Sequence, residues 1–191
     1  MTGSAERPLL FLDVDGPLIP FGAASGQYPD GYPTYGTDPV GPDENPLLVR
    51  INPAHGRRLM ALPCELVWAT TWMAEANETV VPRLGLPELA VVNWPEPDDE
   101  EVGGEADGKT AQDARRGLHW KTRALVDRAA GRSFAWVDDE ITDIDRAWVS
   151  AHHHGHALLH RVDPRRGLTD ADFDALGEWL ATEIAEAADG S

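Results

Sequence analysis

The chain contains one cysteine, Cys64, so no disulfide can form within it. Cys64 sits in an apolar context just before a predicted strand and reads as a buried structural thiol. Cations are scarce: 16 Lys and Arg stand against 33 Asp and Glu, a net charge of −17. Such a chain repels a phosphate backbone at long range, which argues against a broad basic nucleic-acid surface. A phosphate monoester or a nucleic-acid end bound through a metal ion is still compatible with that charge. No apolar run approaches the ~20 residues needed to cross a bilayer. The first residues lack the basic and then apolar pattern of an export signal. The expectation is a cytoplasmic protein without a membrane partner. The 15 prolines and 18 glycines are what the chain has in quantity, and they imply long irregular loops. Its 191 residues fit one domain, 1–191.

Short apolar runs recur along the chain. Residues 8–14, 65–69, 90–93, 133–137 and 156–162 read as strands. The first is uniformly apolar, as expected of a strand covered on both faces of a parallel sheet. Helical patterns lie between and after these runs. Residues 53–62 open with Pro53, residues 72–83 follow Thr71 as a possible N-cap, and residues 119–130 and 141–150 carry apolar side chains at helical spacing. Residues 170–187 are the strongest. Thr169 can cap with Asp172 in the capping-box position, and Phe173, Leu176, Leu180 and Ile184 form a stripe. The alternation predicts an α/β fold with parallel strands joined by right-handed helical crossovers. Two segments break the rhythm. Residues 17–52, with Tyr28, Tyr32 and Tyr35, read as a flap or a pinned loop, and residues 94–118 hold an acidic block, Glu96 to Asp107, that reads as a solvated loop.

In such a sheet ligands bind beyond the carboxyl ends of the strands. The first predicted strand ends at Asp13-Val14-Asp15-Gly16, the second at Thr70-Thr71 and the fourth at Asp138-Asp139. Asp13 and Asp15 can approach one centre because the chain turns there, and Gly16 permits the turn. Two close carboxylates repel and raise each other's pKa. A divalent cation removes that conflict, and an all-oxygen ligand set points to Mg²⁺. One carboxylate can then act as nucleophile while the other moves a proton. Alone, the Asp-x-Asp-Gly is equally a polar turn. It also resembles the start of a Ca²⁺ loop, although the terminal Glu of that pattern is absent.

The set Leu10-Phe11-Leu12-Asp13-Val14-Asp15-Gly16, Val67-Trp68-Ala69-Thr70-Thr71-Trp72, Trp120-Lys121 and Trp136-Val137-Asp138-Asp139 resembles the four motifs of the haloacid dehalogenase (HAD) superfamily, in order and spacing. More narrowly, with Asn77 and Glu140, it is similar to small HAD domains associated with Swiss Army Knife RNA-repair proteins. The resemblance implies a three-layer Rossmann-like fold: a central, mostly parallel five-stranded sheet, helices on both faces and a minimal cap. It implies a Mg²⁺-dependent phosphohydrolase working through an aspartyl-phosphate. Asp13 would be the nucleophile, Asp15 the general acid/base and Thr70 a phosphate contact helped by amides of the following helix. Lys121 would neutralise charge on Asp13 and the phosphate, with Lys109 or Arg123 as alternatives. Mg²⁺ would be held by Asp13, the main-chain carbonyl of Asp15 and Asp139, with Asp138 and then Asp143 as substitutes. Pro17 departs from the family pattern, where Thr or Val is common. It fixes φ and removes an amide donor.

His152, His153, His154 and His156 read as a solvated loop with incidental metal affinity. Trp68 and Trp136 read as core. Trp72 and Trp120 flank the proposed site, where they can pack or meet a ring of the substrate. The leading expectation is a phosphatase acting on a phosphorylated small molecule, a nucleotide or a nucleic-acid end. A weakly catalytic Mg²⁺- or phosphate-binding accessory module is the alternative. A response-regulator-like acceptor domain fits less well, because of the Asp-x-Asp-Gly and the later Asp-Asp.

Overall fold

The computed structural model describes residues 7–24, 32–35, 45–94, 113 and 115–189. Tyr28, Lys109 and the acidic block from Glu96 to Asp107 lie outside the described residues. The described chain builds a five-stranded sheet from β1 (Leu9–Leu12), β2 (Glu65–Trp68), β3 (Ala90–Val91), β4 (Phe134–Asp138) and β5 (Ala157–Arg161). The spatial order is β3-β2-β1-β4-β5, and every pairing is parallel. The sequence order reverses direction at β1, which places that strand at the centre. All four residues of β1 are buried, as its unbroken apolar run requires.

Alternation along the strands sorts their side chains into two layers. Leu10, Leu12, Trp68, Ala135 and Val137 face one core, closed by Leu59 of α1 (Ala54–Ala61) and by Phe173, Leu176 and Leu180 of α6 (Asp170–Asp189). Leu9, Phe11, Val67, Phe134 and Trp136 face the other, closed by Leu125 of α4 (Thr122–Ala129) and Val149 of α5 (Asp143–His152). Helices therefore cover both faces. Between β1 and α1 the described residues hold a 3₁₀ turn, Pro46–Arg50, and no separate cap domain.

Residues 72–83 differ from expectation. Instead of one helix capped by Thr71, the chain makes a turn and then two short helices, α2 (Glu75–Thr79) and α3 (Val81–Leu84). Met73 adopts φ +50°, a left-handed conformation that a helix cannot continue through. Pro82 brings no amide donor, so it is accommodated in the first turn of α3 and splits the segment there. α2 begins after Ala74 with no side-chain cap. The amides near Thr70 therefore belong to a turn and not to a helix N-terminus.

The stripe on α6 also differs at its end. Phe173, Leu176 and Leu180 are buried as predicted, but Ile184 is 39% exposed and Glu183 is 8% exposed. A stripe stepping by three and four can continue through either position, and the packing turns Glu183 inward. The histidine tract is more ordered than a solvated loop. His152 ends α5 and donates from Nδ1 to the Trp148 carbonyl at 2.7 Å, and the ring of His153 packs edge-on against Phe134. Cys64 is buried and free, and burial pushes its thiol up to about 12, with Arg7 opposing.

One buried carboxylate ties the helical layer to the future site. Asp145 is completely buried. It accepts hydrogen bonds from the Thr142 amide (2.8 Å) and hydroxyl (2.6 Å), which cap α5, and from the His119 amide (2.8 Å) and Thr122 hydroxyl (2.7 Å), which start α4. Burial pushes its carboxyl up, but these donors outweigh burial and hold it below the ordinary 3.8. A depressed folded-state pKa gives stability that is present above the unfolded value and is lost as the pH falls through the folded one. Asp145→Asn is expected to cost about 2 kcal/mol at pH 7 in urea unfolding. The gap between the variant and the wild type should narrow below pH 3.8.

Candidate active site

Register brings the strand ends level. Leu12 of β1 pairs with Trp68 of β2 and Val137 of β4, so the residues just beyond them emerge along one edge. Asp13, Thr70, Asp138 and Asp139 all lie on this edge, each 9% exposed or less. Helices in parallel crossovers start at the edge where strands end, which brings Lys121, the residue before α4, to the same place.

Lys121 is 2% exposed. Its ammonium donates to Asp13 Oδ2 at 2.6 Å and to Asp138 Oδ2 at 2.8 Å. Burial works against the ammonium, but Asp13 and then Asp138 outweigh it and hold its pKa above the ordinary lysine value. Burial pushes the Asp13 carboxyl up. Lys121 pulls it down and Asp138 pushes it up again, and the result is about 7. The second oxygen of Asp13 accepts from the Val14 amide at 2.7 Å.

Asp138 is fully engaged. Beyond Lys121, its oxygens accept from the Trp136 indole (3.2 Å) and the Glu140 amide (2.9 Å), so its role in this geometry is to hold Lys121. Asp139 faces the turn after β1. Burial and then the neighbouring Asp138 push its carboxyl up to about 6. Gly16 makes this approach possible, because a Cβ there would stand 2.6 Å from Asp139 Oδ1, and its φ of +84° suits glycine. Arg161 donates to the Asp139 carbonyl at 2.9 Å. Asp143, in contrast, lies on the exposed first turn of α5, 3.7 Å from Arg146. Arg123 pairs with Asp113 and covers the Trp148 ring, so it does not compete with Lys121.

The remaining residues are held by tryptophans, a role sequence reasoning missed. The Trp72 indole donates to Asp15 Oδ2 at 2.8 Å, and the Trp94 indole donates to the Thr70 carbonyl at 3.0 Å. Thr70 Oγ1 accepts from the Trp72 amide at 3.3 Å. Trp120 is 47% exposed, edge-on to Trp94 at 4.8 Å and stacked on His119. His119 in turn accepts from the Lys121 amide at 3.2 Å. Trp68 and Trp136 are fully buried. Indole donors near a polar strand end are the one signal in the sequence for these clamps. Pro17 uses its carbonyl to accept from Leu168 at 2.8 Å.

The site can hold a divalent cation. Asp13, Asp138 and Asp139 bring carboxylate oxygens within 4.8 Å of one another. Burial and then the neighbouring Asp138 raise the pKa of both Asp13 and Asp139, and a bound cation would favour their ionised forms. The donors are oxygens, the set that Mg²⁺ prefers.

Over residues 9–173 the chain matches the family described as the HAD domain in Swiss Army Knife RNA repair proteins. No curated protein and no solved structure matches it.

Removing the ammonium should expose how much of the fold rests on it. Lys121→Met is expected to cost about 3–5 kcal/mol at pH 8, where both partner acids are charged and buried. The loss should be smaller at pH 5, because Asp13, with its pKa of about 7, is then protonated. Urea titrations of both proteins at the two pH values measure this.

Proposed function

The chain belongs to the HAD domain family of Swiss Army Knife RNA repair proteins, and on that premise we propose that it is a cytoplasmic Mg²⁺-dependent phosphohydrolase acting on a phosphomonoester. The observation that carries the reading is the buried Lys121 ammonium joining Asp13, just after β1, to Asp138 of β4, with Asp15 in the turn after β1 and Asp139 against Gly16 of that turn.

Asp13, Asp139 and the main-chain carbonyl of Asp15 would hold Mg²⁺, which supplies positive charge to the phosphoryl oxygens. The chain's own groups carry the transfer. A carboxylate oxygen of Asp13 attacks phosphorus in line, and the bond to the leaving oxygen breaks. Protonated Asp15, oriented by the Trp72 indole, gives its proton to that oxygen, and the alcohol departs. Asp15, now ionised, takes a proton from water as the water attacks the phosphorus of the aspartyl-phosphate. Phosphate leaves, and Asp13 returns as a carboxylate. Lys121 offsets the charge on Asp13 and the phosphoryl group throughout, and Thr70 offers a hydroxyl to a phosphoryl oxygen.

Two features support a nucleotide or polynucleotide phosphate as substrate. The family's description names RNA repair. In addition, a cavity of about 80 Å³ lies beside the turn after β1, lined by Pro17, Leu18, Tyr32, Arg50, His55 and Arg166 among others. No Asp or Glu is among its described lining residues, in a chain of net charge −17. The first turn of α1 and the loop after β5 place it at the edge where the strands end. Cations and rings at that edge suit an anionic, ring-bearing leaving group.

A Mg²⁺-supplemented screen of nucleotides and of 3′- and 5′-phosphorylated oligonucleotides tests the reading. Turnover is expected, with Asp13→Asn lowering it on the order of 10³-fold or more. Absence of turnover on every monoester, with Mg²⁺ or phosphate still bound in calorimetry, would replace the enzyme with an accessory binding module. Mg²⁺ binding should also release protons at pH 6.5, because Asp13 and Asp139, at about 7 and about 6, must ionise to ligate it. Calorimetry in buffers of different ionisation enthalpy reads that release.

A further inference from the structure

At the far edge of the sheet from β3, the end of α6 buries a carboxylate where its apolar stripe calls for an aliphatic side chain. Glu183 is 8% exposed while the neighbouring Ile184 is turned towards solvent. An ionised carboxylate held out of water needs a positive or hydrogen-bonding partner. Among the described residues, its hydrogen-bond partner is His156, just ahead of β5. His156 Nδ1 lies 3.0 Å and 3.1 Å from the two oxygens of Glu183, and 3.4 Å from Glu186 Oε2. Nδ1 carries at most one proton. Three carboxylate oxygens thus converge on a nitrogen that can satisfy one of them.

We propose that His156, Glu183 and Glu186 form a second metal site, for a first-row divalent cation of the zinc class. The three residues bring ligand atoms within 4.8 Å of one another. Ligand bonds of ~2.0–2.2 Å place neighbouring ligand atoms roughly 3.0–3.4 Å apart around one ion, from right-angle to tetrahedral geometry. The separations of His156 Nδ1 from the Glu183 and Glu186 oxygens fall in that interval. One imidazole with two carboxylates suits Zn²⁺, Co²⁺ or Mn²⁺, whereas Mg²⁺ prefers oxygen alone and keeps its waters. Glu183 and Glu186 are three apart on α6 and so share a face.

The surroundings suit the ion. A cavity of about 610 Å³ between α5, β5 and α6 adjoins the cluster and is lined by Ser150, His153 and Thr182 as well as the three ligands. It leaves room for water to complete the coordination shell. Arg146 also lines it, but its guanidinium donates to the Leu159 carbonyl and approaches Asp143. Bound metal would tie the last turns of α6 to the edge strand, independently of the phosphoryl-transfer centre.

Zinc titration of the full chain by calorimetry, in millimolar Mg²⁺ to occupy the oxygen-only centre, tests this site. One Zn²⁺ is expected to bind, with affinity at least tenfold lower in His156→Ala and in Glu183→Gln and unchanged in Asp13→Asn. Zinc should raise the thermal midpoint of the wild type more than that of either ligand variant. Glu186→Gln changes an exposed side chain and checks the third ligand without disturbing the fold. Unchanged zinc affinity in all three ligand variants would overturn the proposal. So would loss of binding in His152→Ala or His154→Ala without loss in Glu183→Gln, which assigns the metal to the histidine tract. Absence of zinc binding in Mg²⁺ would overturn it as well.

Discussion

The buried ammonium of Lys121 is the interaction on which the edge of this sheet depends. It bridges Asp13 after β1 and Asp138 at the end of β4, two neighbouring parallel strands. Without a cation there, two carboxylates would sit side by side in a poorly solvated place. The bridge is made possible by supports that do not touch it. Asp145 joins the start of α4 to the cap of α5, and His119 accepts from the Lys121 amide. Lys121 thus enters the site from a backbone held at two further points.

A second constraint is the crowding of donors around single acids. Asp138 accepts from lysine, an indole and an amide, which leaves it as the member that positions the cation. Burial, with the neighbouring Asp138 adding to it, holds the carboxyls of Asp13 and Asp139 above the usual range. The tryptophans serve the same layer. Trp72 holds Asp15, and Trp94 holds the Thr70 backbone. A rigid indole donor fixes a polar group at little entropic cost, since it has only two side-chain torsions.

Much of the architecture was legible. Uniformly apolar runs identified the strands because a parallel sheet covered on both faces leaves no polar side to show. Thr169 and Asp172 pair at the start of α6 as their spacing predicted, whereas the Thr142–Asp145 capping box of α5 was seen only in the structure. What escaped were conformations set by single residues in context. The left-handed Met73 and the placement of Pro82 broke a helix that periodicity favoured. The outward turn of Ile184 and inward turn of Glu183 depended on what β5 presented to the helix. The indole clamp on Thr70 also escaped, because Trp94 and Thr70 are 24 positions apart and meet only through the crossover.

By itself the sequence determined the order of the strands and put acids and a threonine at their ends, since these follow from local pattern, while Lys121 was named through the family resemblance. Tertiary structure decided which acid holds the lysine and which remains open, where the arginines gather in a chain of net charge −17, and that a glutamate would be buried against His156. Those outcomes turn on separations of a few ångströms between segments distant in the chain. Strand register and helix rotation set these separations, and neither is written in any one segment.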